Sequence, residues 1–323
     1  MFGRILVPLD GSRFAESVLP LARSLARSAR ARLDLVLVHE TMPAWGGDGE
    51  PVDLLEDRFD REQAYLAEVT DLINPDRDIT VGWTLLRGRP AEALERHVAS
   101  VDADLVVMAT HGRGVLSRLW LGSVADHLAR HLATPVLLLR PDPDFTWADP
   151  QAPRMRSVLV ALDGSAAGTA IIPQATVLAR LLRAHLLLAH VVEPVPGTGG
   201  VPVPYPVSYD ARLVAARPAN APGWLDDEAD AMRSSGLSVS SRVVVGAPVA
   251  RTLLEVAAEQ RVDVIACAPH GGGMRRLVLG SVADKLVRGS RVPVLMVPPP
   301  VVARELAATE AATSAETVSP VAG

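Results

Sequence analysis

The sequence predicts an α/β protein that contains two tandem doubly wound parallel sheets, each with five strands in the order 3-2-1-4-5. Three observations lead to this prediction: the composition, an internal repeat, and the alternation of strand-like with helix-like segments. The chain has 323 residues, of which 49% are hydrophobic and only 4% are aromatic. The cores must therefore consist mainly of Ala, Val and Leu, which suits buried parallel strands flanked by helices.

The chain repeats itself over about half of its length. The segment ILVPLDGS at residues 5–12 returns as VLVALDGS at residues 158–165. Near the end of each half, LGSVAD at residues 121–126 returns at residues 279–284. The two offsets are 153 and 158 residues, so the repeating unit has the size of a domain and contains small insertions.

Composition divides the chain around these two copies. We predict one domain at residues 1–142, a proline-rich linker at 143–155 and a second domain at 156–300. The remaining residues, 301–323, are rich in Ala, Thr, Glu and Ser and are expected to form a disordered tail. Many prolines and glycines in residues 193–222 predict a long irregular loop.

Short apolar runs in the first half predict five strands. They lie at residues 4–9, 32–38, 79–86, 104–109 and 136–139. The fourth run is almost entirely apolar, as is typical of a strand that is buried on both faces.

Apolar residues at helical spacing predict the segments between these strands as helices. The first two helices would carry an apolar stripe made of Val18, Ala22, Leu25 and Ala26 in one case, and of Phe59, Leu66, Val69 and Leu72 in the other. The third would begin at Pro90, a residue suited to a first turn, and the fourth near Ser123. Strands joined by helical crossovers form a parallel sheet.

Charge and rare residues exclude several functions. The net charge of −5 is a poor match to a nucleic-acid binder. Lys285 is the only lysine and does not follow a glycine-rich loop, so a Walker A phosphate site is excluded. The single cysteine, Cys267, excludes a disulfide framework. No apolar stretch is long enough to span a membrane, and we expect a cytoplasmic protein.

The repeated motifs fall where a doubly wound sheet binds ligands. In such a sheet the ligand lies beyond the carboxyl ends of the strands, where the strand order reverses. Asp10 follows the first strand, and Gly112 and Gly114 follow the fourth. Glycine amides and the helix start at Ser123 favour phosphate, whereas the carboxylate of Asp10 suits ribose hydroxyls or a metal ion. This division indicates a nucleotide.

These residues resemble the universal stress protein family, and the resemblance covers both halves. ATP-binding members carry G-x2-G-x9-G-[ST] after the fourth strand, and this chain has Ala109-x2-Gly112-x9-Gly122-Ser123. The resemblance implies a Rossmann-like fold that binds ATP, with or without Mg²⁺. It assigns adenine to Pro8 and Met108, ribose to Asp10, and phosphates to the segment containing Ala109, Gly112, Gly122, Ser123 and Val124. The adenine-side valine after the histidine of the second strand is replaced by Glu40.

The second half departs further from the family motif. By matching position, the resemblance assigns this half a second set of contacts: Asp163, Val191, Gly271, Gly280, Ser281 and Val282. Eight residues rather than nine separate its two motif glycines, and Pro269 lacks an amide hydrogen. We expect this half to bind nucleotide weakly, differently or not at all.

The family's tandem members resemble two protomers joined in one chain. This implies an intramolecular pseudo-dimer that pairs through the fifth strands, Val136–Leu139 and residues 294–297. A homodimer is a further expectation.

Several residues also have plain structural interpretations. Asp10 could simply cap the helix that follows it, and His111 and His270 could order their loops. His127 and His131, four residues apart, are interpreted as a solvated helix face rather than half of a zinc site. No nucleophile elbow follows a strand, and no residue is identified as catalytic.

Three functions are open at this point. The first is an ATP-binding, stress-response regulatory protein with at most slow ATP hydrolysis. The second is a scaffold of the same fold that works through dimerisation or a protein partner without nucleotide. The third is an ATP-dependent enzyme of a related adenine-nucleotide hydrolase fold.

Overall fold

A computed structural model describes residues 2–40, 52–110, 121–141, 144–147, 155–194, 223–269 and 279–298. The predicted tail, most of the predicted loop at 193–222 and most of the linker lie outside the described residues. The predicted boundaries between domains, linker and tail remain predictions.

The described residues form ten strands and ten helices. The strands are β1 (Arg4–Leu9), β2 (Arg32–His39), β3 (Val81–Arg87), β4 (Leu105–Ala109), β5 (Val136–Leu139), β6 (Ser157–Ala161), β7 (His185–Val192), β8 (Val239–Val245), β9 (Val264–Cys267) and β10 (Val294–Met296). The helices are α1 (Arg13–Glu16), α2 (Leu19–Ala29), α3 (Val52–Ile73), α4 (Pro90–Ser100), α5 (Ser123–His131), α6 (Ala166–Thr169), α7 (Ile172–Leu182), α8 (Gly223–Ser234), α9 (Val249–Glu259) and α10 (Ser281–Gly289).

The strands form one continuous sheet in the order β3-β2-β1-β4-β5-β10-β9-β6-β7-β8. Each half has the predicted order 3-2-1-4-5, and the strands within each half are parallel. The halves meet where β5 and β10 pair antiparallel, with Leu137 opposite Leu295. The predicted α/β class and strand order are thus confirmed, and the two five-stranded sheets are joined edge to edge.

Helices cover both faces of this sheet, and each face has its own apolar core. One core includes Leu25 of α2 and Leu178 of α7, and the other includes Leu128 of α5 and Leu286 of α10. All four side chains are fully buried. Because each core takes residues from both halves, burial as well as strand pairing joins the halves.

Strand positions agree with the apolar pattern to within two residues. The first and last strands of the first half lie where they were predicted, whereas β3 begins at Val81 and not at residue 79. Leu72, predicted on the apolar stripe of α3, is 42% exposed, while Leu66 and Val69 are buried. Helix α1 was not predicted, because four residues are too few to show a helical period.

A buried carboxylate attaches the linker to the first half. Glu16 Oε1 accepts a hydrogen bond from the hydroxyl of Tyr65 at 3.0 Å, and Oε2 accepts one from the indole of Trp147 at 2.9 Å. Trp147 belongs to the predicted linker and packs against the same core as α2. Trp147 thus holds its part of the linker against α1 and α3.

An aspartate before the fourth strand of each half ties that strand to the first. Oδ2 of Asp104 accepts hydrogen bonds from the amides of Gly3 at 2.7 Å and Arg4 at 2.9 Å. In the second half, Oδ2 of Asp263 accepts from the amides of Arg156 at 2.7 Å and Ser157 at 3.0 Å. The repeated contact fixes the start of the central strand pair in both halves.

Replacing Asp104 with alanine is expected to lower the free energy of unfolding by about 1–2 kcal/mol, because two amides lose a charged acceptor in a partly exposed place. Urea denaturation followed by circular dichroism measures this loss. Asp76→Ala is the control, since Asp76 forms an exposed ion pair with Arg23 and such pairs contribute little. Equal stabilities of the two variants would contradict the anchoring role.

No helix within the described ranges is long and apolar enough to cross a membrane.

Candidate functional site

A cavity of about 740 Å³ opens at the carboxyl ends of β1, β2 and β4, next to the start of α5. This is the place at which the strand order reverses in the first half. The volume lies within the range of about 300–1,000 Å³ that small-molecule sites occupy. The cavity is therefore a candidate ligand site of the kind that the repeated motifs predict.

Asp10 lies on a tight turn at the end of β1. Its Oδ1 accepts hydrogen bonds from the amide and the hydroxyl of Ser12, at 2.9 and 2.6 Å. Gly11 between them has φ +78°, a left-handed conformation that favours glycine. Ser12, rather than Asp10, caps α1, because its Oγ accepts from the amide of Ala15. The turn holds the carboxylate at the cavity wall.

Gly122 directly precedes α5 and also lines the cavity. It occupies the N-cap position, where glycine has no side chain that could cap the helix. Its amide donates to the carbonyl of Thr110 at 2.7 Å. The following residues, Ser123, Val124 and Ala125, also line the cavity. Amides in the first turn of a helix lack partners within the helix, and together with the helix dipole they favour an anion at this wall.

Apolar side chains form the wall between these two features. Pro8, Met108 and Ala109 line it from β1 and β4, and Val38 lines it from β2. In the first half, strand pairing places Pro8 opposite Val36. In the second half, Ala161 corresponds to Pro8 in the repeat and lies opposite Ala189. Two residues further along, Val38 and Val191 are therefore equivalent. The expectation that Glu40 replaces the adenine-side valine is wrong: Glu40 lines the cavity as an exposed residue, and Val38 has the position of the valine.

Charged residues that the motif analysis missed line both ends of the cavity. Near the end of β2, Arg58 and Glu62 line the cavity, and Arg58 Nε donates to Oε1 of Glu62 at 3.0 Å. Nδ1 of His39, which is not among the described lining residues, lies 2.6 Å from Oε2 of the same carboxylate. At the other end are Arg130 of α5 and Arg288 of α10. A signal was present in the sequence, because an Asp-x3-Arg pattern occurs in both halves at these positions.

The second half has a smaller cavity of about 280 Å³ at the corresponding strand ends. The turn is the same, since Oδ1 of Asp163 accepts from the amide and hydroxyl of Ser165 at 2.9 and 2.6 Å. Gly280 begins α10, and its amide donates to the carbonyl of Pro269 at 2.7 Å. His190, with Nδ1 2.8 Å from the carbonyl oxygen of Leu162, also lines this cavity.

Pro269 does not remove a donor from the second cavity, contrary to the sequence argument. The equivalent residue in the first half is Thr110, whose amide donates to the carbonyl of Leu139 at 2.7 Å. That amide is used to extend the sheet and does not face a ligand. The two cavities are distinguished more clearly by their volumes than by Pro269.

Cys267 takes the place of Met108 in the second cavity. Burial raises the pKa of its thiol to about 12, because a thiolate is disfavoured in an apolar environment. Its sulfur lies 3.4 Å from the sulfur of Met296. Cys267 is thus a neutral, packed side chain at neutral pH.

His127 and His131 lie outside the described wall of the first cavity. Nε2 of His127 is 2.7 Å from Oε2 of Glu95 on α4, and the two imidazoles stack with centroids 4.1 Å apart. The His127 side chain is only 27% exposed, so the predicted solvated face is in fact a contact between α4 and α5. Among the described residues, no three His, Cys, Asp or Glu side chains form a group that could hold a metal.

The predicted site residues divide between the two cavities. Seven of them line the first: Pro8, Asp10, Met108, Ala109, Gly122, Ser123 and Val124. Five line the second: Asp163, Val191, Gly280, Ser281 and Val282. Gly112 and Gly271 lie outside the described residues, as do Gly114, His111 and His270. The assignment of these residues to parts of a nucleotide remains a prediction.

The fold and the two crevices define a tandem doubly wound α/β protein with a ligand-sized cavity at the switch point of its first half. The sequence model of the universal stress protein family matches residues 1–140 and 155–298. The chain belongs to the universal stress protein family and contains the family's domain twice.

Known relatives agree with this membership. A universal stress protein of Thermus aquaticus is 35% identical over 140 residues, which cover 43% of this chain and all of that protein. A universal stress protein of Mycobacterium tuberculosis is 31% identical over 234 residues, covering 70% of this chain and 72% of the relative. A crystal structure of a universal stress protein from Archaeoglobus fulgidus has a TM-score of 0.67 at 19% identity, covering 92% of this chain and 96% of that one.

Proposed function

We propose that this protein is an ATP-binding regulatory member of its family and that the nucleotide binds in the first cavity. The observation that supports this most strongly is the cavity itself. It brings the carboxylate of Asp10, the apolar wall at Met108 and the uncapped start of α5 to one space of about 740 Å³. These surfaces suit, in turn, ribose hydroxyls, a base and phosphate.

In the proposed complex, the adenine lies against Pro8, Val38 and Met108. Asp10 accepts hydrogen bonds from the ribose, and the first-turn amides of α5 bind phosphate in the absence of a Walker A lysine. Mg²⁺, when present, is held mainly by the phosphates, because it keeps several of its waters and takes few protein ligands at such sites. The nucleotide supplies charge and shape, and the chain responds to its presence.

We propose binding and not turnover as the function of this cavity. Its described wall contains no histidine. Of its carboxylates, Glu62 and Asp126 are paired with Arg58 and Arg130, Asp10 accepts two hydrogen bonds from Ser12 and is proposed to bind ribose, and Glu40 is exposed to solvent. A carboxylate held by an arginine is a poor general base, because the positive charge favours its ionised form. Nucleotide occupancy would then change the conformation or the partner binding of the protein, as expected of a cytoplasmic regulator.

The second cavity is proposed to bind nucleotide weakly or not at all. At about 280 Å³ it has well under half of the volume of the first.

We further propose that the two halves act as an intramolecular pseudo-dimer through β5 and β10, and that any homodimer uses other surfaces.

Titration calorimetry of ATP into nucleotide-free protein tests the proposal, and we expect binding with about one site per chain. Denaturing freshly purified protein and chromatographing the released small molecules is the companion measurement. The absence of both binding heat and released adenine nucleotide would favour the scaffold without nucleotide. Several turnovers of ATP with an acceptor would instead favour an enzyme.

A further inference from the structure

We propose that Arg288 of the second half completes the first cavity, where it and Arg130 bind the anionic end of the ligand. The charged end of the nucleotide would then be held by both halves of the chain. This inference rests on the proposed function, because it specifies how the same cavity holds its ligand.

Charge is distributed unevenly along the cavity wall. Asp10, Glu40 and the ion pair of Glu62 with Arg58 line the side formed by β1, β2 and α3, which is net negative. Arg288 of α10 and the ion pair of Arg130 with Asp126 on α5 line the other side, which is net positive. In the sheet order β2-β1-β4-β5-β10 these two groups lie at opposite sides. The wall therefore suits an elongated ligand that has hydroxyl groups at one end and negative charge at the other.

One face of α5 leads from the helix start to the arginines. Ser123, Asp126 and Arg130 all line the cavity, and their spacing of three and four residues places them on one helix face. The rise from Ser123 to Arg130 is about 10 Å at 1.5 Å per residue. A chain of phosphates that starts at the first-turn amides would run along this face towards the two arginines, and the ion pair with Arg130 at 2.6 Å compensates the charge of Asp126 on the way.

The pairing of β10 with β5 brings Arg288 to the first half. β10 pairs with β5, and α10 follows the same route on its half as α5 does on the other. Arg140, directly after β5, donates from Nη2 to the carbonyl of Arg288 at 3.0 Å. This contact crosses between the halves and fixes the last turn of α10 beside the first cavity.

Asp284 orients the guanidinium of Arg288. Nε of Arg288 donates to both carboxylate oxygens of Asp284, at 2.8 and 2.9 Å. Arg288 lines the cavity, and Asp284 is not among its described lining residues. A guanidinium carries five N–H donors in a rigid fork, so one arginine can bind a carboxylate and a phosphate together. On α5, Asp126 does line the cavity and pairs with Arg130 at 2.6 Å.

The described wall of the second cavity differs in this respect. Among its described lining residues there is no arginine from either half. The repeated Asp-x3-Arg pattern therefore serves only one of the two described cavities, although it is present in both copies of the sequence.

Titration calorimetry with ATP and with adenosine tests the inference on the full chain. Arg288→Gln removes the cation, and Arg251→Gln is the matched control, because Arg251 forms an exposed i,i+4 pair with Glu255 on the neighbouring helix α9. We expect Arg288→Gln to weaken ATP binding about tenfold, as the loss of one charge-assisted hydrogen bond does. Arg288→Gln should bind adenosine with wild-type affinity, and Arg251→Gln should bind both ATP and adenosine with wild-type affinity.

Each other result contradicts the inference in a different way. Unchanged ATP affinity in Arg288→Gln would overturn it while leaving the proposed function intact. Equal losses of ATP and adenosine affinity would also overturn it, because Arg288 would then support the whole site and not its anionic end. Wild-type protein that binds neither compound would overturn the proposed function and this inference together. Thermal denaturation of the variant, compared with wild type, checks that it folds.

Discussion

Replacing Leu295 with alanine is expected to lower the free energy of unfolding by about 2–5 kcal/mol, the usual cost of a large-to-small change in a core. Leu295 is fully buried and lies opposite Leu137, also fully buried, at the pairing of β5 with β10. On its other side it pairs with Ala266 of β9. Strands bonded on both sides cannot move in to fill the space, so we expect a loss near the upper end of the range.

Urea denaturation of the full chain measures this loss. Val245→Ala is the control, because Val245 lies on the outer strand β8 and is 44% exposed, and exposed positions of this kind change stability by about 0.5 kcal/mol or less. A larger loss in the control than in Leu295→Ala would contradict the packing of the two halves described above. Leu295→Asp should lower the free energy of unfolding more than Leu295→Ala does, because the buried charge would have no compensating partner.

Replacing Gly122 with glutamate is expected to weaken ATP binding by more than about a hundredfold, because like charges brought together cost several kcal/mol. The new carboxylate would stand at the helix start where a phosphate is proposed to bind. The backbone should tolerate the change, since Gly122 has φ −61° and ψ 150°, an extended conformation open to any residue. An acidic residue near a helix N-terminus also favours the helix, so the loss should not arise from unfolding.

The matched control for this experiment is Gly280→Glu. Gly280 starts α10 in the second half with φ −57° and ψ 146°, nearly the same backbone. We expect titration calorimetry to give Gly280→Glu the same ATP affinity as wild type. If Gly280→Glu abolished binding and Gly122→Glu did not, the nucleotide would belong in the second cavity.

Local pattern was enough to predict most of the fold. β1 and β5 have the predicted bounds, and β4 begins at Leu105, one residue after the predicted start, because short apolar runs between helical segments mark buried parallel strands. The internal repeat then gave the same order to the second half. Local pattern cannot show which sheet edges pair with each other, so the pairing of β5 with β10 was predicted only from the family resemblance. For the same reason, the two cores that the halves share were not predicted.

The candidate site was predictable where its residues lie in one motif. Asp10 and the segment from Gly122 to Val124 were found because short repeated strings contain them. Val38 was missed because its place depends on the pairing of β1 with β2 and not on the neighbouring histidine. Arg288 was missed because it comes from the other half, more than 150 residues from the motif that it faces.

The pairing of β5 with β10 joins two edges of the same polypeptide, and this affects how the first cavity depends on protein concentration. Two segments tethered in one chain meet at an effective concentration of about millimolar, far above that of most separate subunits. Since each of these strands occupies the other's open edge, a second chain cannot pair there. Dilution therefore leaves Arg288 beside the first cavity, and the amount of protein in a cell does not alter the make-up of its wall.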